Sequence, residues 1–470
     1  MNAFLASSIA LALGLARPAP ASAQDPAESG PPPEAKTIKT SFELIPDIET
    51  YQRPSWCNDA DYTSWPEWGV GAVGEAKDFI NPRIGIKNLR SAAARIEIDA
   101  NGDGKGDVDV PLTGNISPVH IRFGPKGMER DLGLLTVTGI EKDRYQGVEV
   151  DRSIRTERGQ LFFAPAGSVT AMIEKTPIRI FDDNFDGAYG YDHRNSYWMA
   201  WRWTGLRYEH DPVEEQPEID CVTVGGSKRA RPWSDQMQID GKWYQFKCDD
   251  YGRTLTYWPI QPATGTLKLS FKGATKPAFV IVRGADKDND KLFFDLLDGG
   301  SAGIQVPEGR YKLFFGMLRQ GKRREVQKCL ILPAKDMDAV DVVAGKTATL
   351  ELGGSLGFDF VATDDGDSVT LIGKTVGVIG AAGEHYARIW NAAPRPEMSV
   401  RKAGGKKADL SERTELVTDQ DSLNKGWEYT WFPLDKRMPK KLTEEKAEVQ
   451  LYEKKNKLLG EIESIWRAAL

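Results

Sequence analysis

The chain has 470 residues, 40% hydrophobic and 28% charged, with 46 Gly, 27 Pro and 13 Trp. That length exceeds one domain, and that composition excludes a disordered chain in favour of a turn-rich fold of short strands. With 62 basic against 68 acidic residues, the net charge of -6 offers no electrostatic case for nucleic acid or an anionic membrane, and clusters such as Lys228-Arg229-Ala230-Arg231 and Lys322-Arg323-Arg324 read as solvated turns.

An apolar run from Ala3 to Ala16, then Arg17-Pro18 and Ala21-Ser22-Ala23 ahead of Gln24, has the pattern of an export signal, so residues 1–23 are predicted to be a cleaved signal peptide. No Lys or Arg precedes the run, which leaves the terminal amine as its positive charge. The run is short for a bilayer span, no cysteine follows the cleavage pattern and no later stretch approaches a span, so a secreted or periplasmic product without a membrane span is expected. Residues 24–40, QDPAESGPPPEAKTIKT, are Pro-rich and polar and read as an unstructured linker. Four cysteines, Cys57, Cys221, Cys248 and Cys329, allow three pairings in an oxidising compartment. Cys221 and Cys248 end strand-like runs, IDCVTV and WYQFKC, and are the expected disulfide; the alternative is four buried thiols.

Residues 41–262 read as one β-rich domain. Its aromatic stretch Tyr51–Trp68 suits a segment pinned by rings, lining a site or capping a core. Ile96 and Ile98 then alternate into Asp99, and Val108, Val110 and Leu112 alternate out of DANGDGKGD, which is strand, loop, strand. Asp99, Asn101, Asp103, Gly104 and Asp107 occupy positions one, three, five, six and nine. Alternating oxygen donors closed by a glycine suit calcium, a hard cation that wants six or more oxygens around a sharp turn. The segment resembles the DxDxDGxxD calcium hairpins of β-propeller and related extracellular proteins. A helix-loop-helix site is the weaker reading, because position twelve is Val110 and no amphipathic helix follows.

A second acidic segment, FDDNFDGAYGYDHRNSYW, places Asp182, Asn184 and Asp186 before Gly187, with Gly190 at position nine and the late carboxylate at Asp192. Calcium is the expected ion at both. A third, Asp286 to Asp290, has Lys291 where the glycine should be and reads as a polar turn. After Asp192 come Trp198, Trp201 and Trp203, the candidate ligand-binding residues, since aromatic faces stack on sugars, and then the acidic run Glu209, Asp211, Glu214, Glu215 and Glu218. A pair of these carboxylates across a cleft would suit glycoside hydrolysis, although a solvated acidic stretch beside core aromatics is the plainer reading. The segment SDQMQIDGKWYQFKCDDYGRTLTYWPI reads as a meander with an Asp-Gly turn.

Residues 263–357 repeat the strand pattern in GTLKLSFK, AFVIVRG and KLFFDLL. VPEGRYKLFFG followed by VVAGKTATLELG resembles the carboxypeptidase-regulatory, transthyretin-like β-sandwich modules of exported bacterial proteins. That resemblance covers about a fifth of the chain and implies scaffold or binding more than catalysis. Residues 358–436 look like a small immunoglobulin-like β-domain. In residues 437–470 the apolar Leu451, Leu458 and Ile465, beside Tyr452, Leu459, Ile462 and Trp466, predict an amphipathic helix, with an oligomer through residues 442–468 as one use of it.

The remaining motifs carry little chemistry. Gly353-Gly354-Ser355-Leu356-Gly357 spells a nucleophile elbow, but a strand is expected after it rather than a helix. His120, His193, His210 and His385 share no ligand spacing. The fold class expected is therefore mainly β, with several antiparallel sandwich or meander domains in tandem and a C-terminal amphipathic helix. The function expected is an exported, calcium-stabilised binding or scaffold protein at the cell envelope or outside the cell, with a glycan or envelope protein as partner and no nucleic acid. A secreted carbohydrate-active hydrolase and a structural protein assembling through its terminal helix are the alternatives.

Overall fold

The computed structural model describes residues 30–45, 51, 63–65, 83–87, 95–99, 108–111, 117–123, 130–141, 144–145, 148–149, 158–182, 189–190, 220–249, 252–321, 326–390, 392–416, 433–441 and 445–470. They form antiparallel sheets almost throughout, and the one helical element among them is the 3-10 segment Leu296–Ala302. The mainly β class follows from the sequence as expected. No helix among them is long and apolar enough to cross a membrane.

The first body is a sandwich. One sheet orders Lys36–Lys39, Thr254–Ile260, Lys242–Cys248 and Gln236–Ile239; the other orders Arg231–Pro232, Cys221–Val224, Thr176–Phe181, Gly167–Ile173 and Ser41–Leu44. Alternation decides which residues face inward. Tyr244 and Phe246 from one strand and Leu255 and Tyr257 from its neighbour meet Val169, Ile178, Ile180 and Val222 from the opposite sheet in a single buried cluster. The Asp240-Gly241 turn, with φ of 50° and 77°, closes the hairpin whose last pair is Ile239 and Lys242, the left-handed pairing that suits strand twist. Lys36–Lys39 corrects the linker reading. These residues pair antiparallel with Thr254–Tyr257, because an unpaired sheet edge accepts any extended segment that can supply backbone hydrogen bonds.

A third sheet, Thr63–Trp65, Arg158–Pro165, Arg130–Glu141 and Ser117–Phe123, abuts this sandwich, and a separate three-stranded sheet holds Arg83–Lys87, Arg95–Asp99 and Val108–Pro111. The contact between the third sheet and the sandwich is backbone-close. Ala166 donates to Gly133 O at 2.8 Å, and a Cβ on Gly133 would lie 2.5 Å from Gly167 N, which excludes any larger residue there.

Residues 264–470 form the second body. A nine-stranded sheet orders Phe293–Asp295, Pro277–Gly284, Gly309–Gln320, Gln327–Leu332, His385–Trp390, Ser368–Ile379 and Gly357–Asp364, with Val340–Val342 and Lys436–Pro439 attached at its sides. It runs through the boundary expected between residues 357 and 358. One core cluster reaches from Leu267 to Ile462, so the two predicted domains share a sheet and a core. A smaller sheet pairs Thr264–Lys272 with Thr347–Gly353 in parallel, unlike the antiparallel pairs of the other described strands.

The C-terminal helix is also corrected. Ala447–Asn456 is a strand that pairs with Glu397–Lys402, followed by Gly460–Glu463 and Arg467–Ala468 in the same sheet. Ala447, Val449 and Leu451 are buried at every second position, whereas Ile465, which a helical stripe would bury with Leu451 and Leu458, is 76% exposed. Period two prevails because Glu397–Lys402 offers a strand to pair with, and tertiary context overrides helical propensity. The assembly helix across residues 442–468 therefore has no counterpart among the described residues.

Candidate functional site

The two acidic segments were the strongest chemical signals, and the structure describes the strands that frame them. Ile98 pairs with Val108, so the strands on either side of residues 100–107 are antiparallel partners; residues 100–107 lie outside the described residues. Asp99 closes the inner strand, opposite Arg83. Asn101, Asp103 and Asp107 lie outside the described residues.

The second segment departs from the sandwich core. Phe181 pairs with Cys221, so residues 182–220 begin and end at one point of the sheet. Both bases are buried carboxylates, Asp182 at 1% and Asp220 at 0% exposure. Asp182 donates its N–H to Gly167 O at 3.4 Å, and the Asp220 Oδ2 accepts the Gly190 N–H at 2.6 Å. Gly190, at φ 73°, lies flat on the Trp233 indole, where a Cβ would come within 2.9 Å. A side chain larger than glycine at this position would therefore collide with Trp233. Tyr189 is buried beside it, donates to Asp131 O at 3.1 Å, and occupies the space that a side chain on Gly252 would need. Asn184, Asp186 and Asp192, together with Trp198, Trp201, Trp203 and the acidic run from Glu209 to Glu218, lie outside the described residues.

Asp220, Tyr189 and Trp233 were not singled out from sequence. Asp220 had a legible signal, a carboxylate directly before the strand CVTV, where a helix or turn cap is common. Trp233 had none, since its partner Gly190 lies far away in the chain.

The third acidic segment is an arginine-closed turn. Asn289 Oδ1 accepts the Asp286 N–H at 2.9 Å, Asn289 Nδ2 donates to Arg310 O at 3.2 Å, Arg283 Nε donates to Asp290 O at 2.5 Å, and the Arg310 guanidinium stands 3.5 Å from Asp286. Among the described residues no group of three or more His, Cys, Asp or Glu side chains is arranged to hold a metal ion.

Cys221, Cys248 and Cys329 carry thiols. Cys221 and Cys248 sit on opposite sheets of the sandwich, in Cys221–Val224 and Lys242–Cys248. Both remain thiols, so the expected bond is not formed. Burial, with Asp249 and Asp220 nearby, pushes the Cys248 thiol up. Cys57 lies outside the described residues. The GGSLG motif is a turn: Gly354 donates to Lys272 O at 2.6 Å, and the strand Gly357–Asp364 follows, as expected.

Compared with known proteins, the chain matches no family model, no curated protein and no solved structure.

Proposed function

We propose that the protein is an exported, calcium-stabilised binding or scaffold protein of the cell envelope, and that residues 182–220 are its ligand-binding insert. The observation that carries this reading is the pairing of Phe181 with Cys221 between the buried bases Asp182 and Asp220. A segment anchored at one point of a rigid sandwich can vary its surface without disturbing the core, which is how binding segments are generally mounted. The sequence of this insert concentrates Trp198, Trp201 and Trp203 beside carboxylates, a composition suited to stacking on and hydrogen bonding a glycan. Calcium held by Asp182, Asn184, Asp186 and Asp192 would fix the insert's first turn, and Asp99, Asn101, Asp103 and Asp107 would do the same for the hairpin.

The test replaces residues 191–219 with a short Gly-Ser segment and measures binding to a panel of neutral oligosaccharides alongside a thermal melt. The expected result is an unchanged melt with loss of binding. Retained binding by the shortened protein, or no binding by the intact one, would sink the proposal.

A further inference from the structure

The strand Thr347–Gly353 is an edge of the small sheet that orders Ile304–Pro307, Thr264–Lys272 and Thr347–Gly353. Two bonds fix which way its backbone points. Thr266 donates its N–H to Lys346 O at 2.8 Å at one end, and Gly354 donates to Lys272 O at 2.6 Å at the other, so the even-numbered residues bond to the inner strand. The odd-numbered residues therefore turn their N–H and C=O outward. At Gly353 these groups are closed within the chain, the N–H by Glu384 Oε1 at 2.6 Å and the C=O by the Ala381 N–H at 3.0 Å. At Thr347, Thr349 and Glu351 they have no hydrogen-bond partner among the described residues, and all three residues are exposed.

Exposed edges are ordinarily blunted by shortness, proline, lysine or a bulge, because unpaired strand groups recruit other strands. Ile304–Pro307, the opposite edge of this sheet, is four residues long and ends in proline. Thr347–Gly353 is seven residues long, contains no proline or lysine, and pairs with Thr264–Lys272 without a register shift. Its faces alternate cleanly: Leu350 and Leu352 are buried, Ala348 is half-buried, and Thr347, Thr349 and Glu351 point to solvent.

We infer that this edge pairs with the same edge of a second copy of the chain, antiparallel about a two-fold axis at Thr349. That register sets Thr349 opposite the partner's Thr349 and Thr347 opposite the partner's Glu351. Residues paired in this way exchange two backbone bonds, so the pairs satisfy every outward group of Thr347, Thr349 and Glu351 in both copies. Ala348 then lies opposite the partner's Leu350, which continues the apolar layer, and each Thr347 hydroxyl faces a carboxylate. The two Glu351 side chains stand roughly 13 Å apart along the strands, so like charges do not meet. Sliding the register by two residues one way sets Thr347 against Gly353, whose groups Glu384 and Ala381 already hold. Sliding it the other way sets Glu351 against Gly345, where φ of 69° ends the strand. A slip of one residue exchanges the faces. The edge is thus self-complementary in one register, the requirement for an isologous dimer, which is why a second copy is favoured over an unrelated extended peptide. The inference goes beyond the function proposed above and does not rest on it, since neither the insert at 182–220 nor calcium takes part.

The experiment is sedimentation equilibrium of the full chain over a concentration series, and a monomer–dimer equilibrium is expected. Thr349→Pro removes the N–H on the axis, a change that edge strands tolerate, and should weaken dimerisation about tenfold or more with an unchanged melt at dilute concentration. Thr347→Lys sets a cation opposite the partner's Glu351 and should tighten the dimer about twofold or more. Thr347→Lys with Glu351→Lys sets like charges opposite each other and should make it weaker than the intact dimer. Residues 347 and 351 of one copy are too far apart to produce that reversal, so it reports pairing between copies. If Thr349→Pro also lowers the melt, the two lysine variants decide. A chain that stays monomeric at every concentration, a dimer indifferent to Thr349→Pro, or the same response in both lysine variants would each overturn the inference.

Discussion

Arg229 of the first sandwich donates to the Asp295 carboxylate of the second body, which is itself buried and caps the 3-10 segment Leu296–Ala302. The same carboxylate accepts the Val280 N–H at 3.0 Å and the Leu297 N–H at 3.1 Å, while Arg229 Nε reaches Asp298 at 3.0 Å. Ser234 accepts from Phe293 N at 3.2 Å, and the Trp243 ring meets Phe294 edge-on, so a polar bond and an aromatic contact reinforce the junction. One cation thus joins two bodies that each have their own core.

Removing that cation leaves a buried carboxylate uncompensated. Arg229→Ala is expected to lower stability by about 3 kcal/mol and to separate the unfolding of the two bodies into two transitions. Urea melts followed by tryptophan fluorescence and by circular dichroism would show it. A single unchanged transition would mean that the junction holds without Arg229.

Asp295 also sets a pH dependence. Burial, with Asp298 beside it, pushes its carboxyl up to about 6 from an ordinary 3.8, against the pull of Arg229. The folded state then binds the proton more tightly than the unfolded state, so this group's contribution to stability falls as pH rises from about 4 to about 6 and is flat above. The difference in stability between the intact protein and Asp295→Asn should change across that window by up to about 3 kcal/mol, and by little between pH 7 and 8. A constant difference from pH 4 to 8 would show that the Asp295 carboxyl titrates normally.

Glu384 is a second buried staple, 0% exposed. Its carboxylate accepts Gly353 N at 2.6 Å, Ala382 N at 3.2 Å and Tyr386 OH at 3.0 Å, tying the small parallel-paired sheet to the nine-stranded one. Burial, then Glu384 itself, push the Tyr386 hydroxyl up, so it stays a donor. Glu384→Ala strands three donors and is expected to cost about 3 kcal/mol or more, whereas Tyr386→Phe removes one bond and should cost about 1 kcal/mol. Chemical denaturation of both variants checks the order; equal losses would contradict it.

The strand at Ala447–Asn456 gives a third comparison. Leu451 is fully buried and Ile465 is exposed, so Leu451→Ala is expected to cost about 2–5 kcal/mol while Ile465→Asp stays within about 0.5. A helical stripe would make both severe, and thermal melts of the two variants separate the arrangements.

That comparison also marks what the sequence could carry. Local alternation made strands legible wherever the signal is short-range, as in Tyr244 and Phe246 beside the Asp240-Gly241 turn, or Ile96 and Ile98 leading to Asp99. Leu451, Leu458 and Leu459 suited either period, and only the long-range partner Glu397–Lys402 decides between them. Lys36–Lys39 looks like linker because its pairing partner lies at Thr254–Tyr257. The parallel pairing of Thr264–Lys272 with Thr347–Gly353 likewise has no local signature. At the candidate insert, the carboxylates were visible as residue types, but the flat contact of Gly190 on Trp233 depends on two segments meeting only in the fold.

The last prediction concerns calcium. Asp99, Asp103 and Asp107 place three carboxylates within residues 99–107 of the sequence, and Asp182 and Asp186 lie four residues apart in the second segment, so each segment is expected to lose stability through repulsion unless a cation is bound. The unfolded chain cannot converge these oxygens, so calcium bound there would be expected to stabilise the fold by mass action, by about 2.7 kcal/mol at a hundredfold excess over the dissociation constant. Magnesium should do much less, because it sheds water reluctantly and requires a tight octahedron. The measurement is a thermal melt after chelator treatment, then with calcium or magnesium restored, on the intact protein, Asp103→Ala and Asp186→Ala. Each variant should lose part of the calcium response, and the double variant all of it. An intact protein whose melting temperature is indifferent to chelator and to calcium would reduce both segments to ordinary acidic turns.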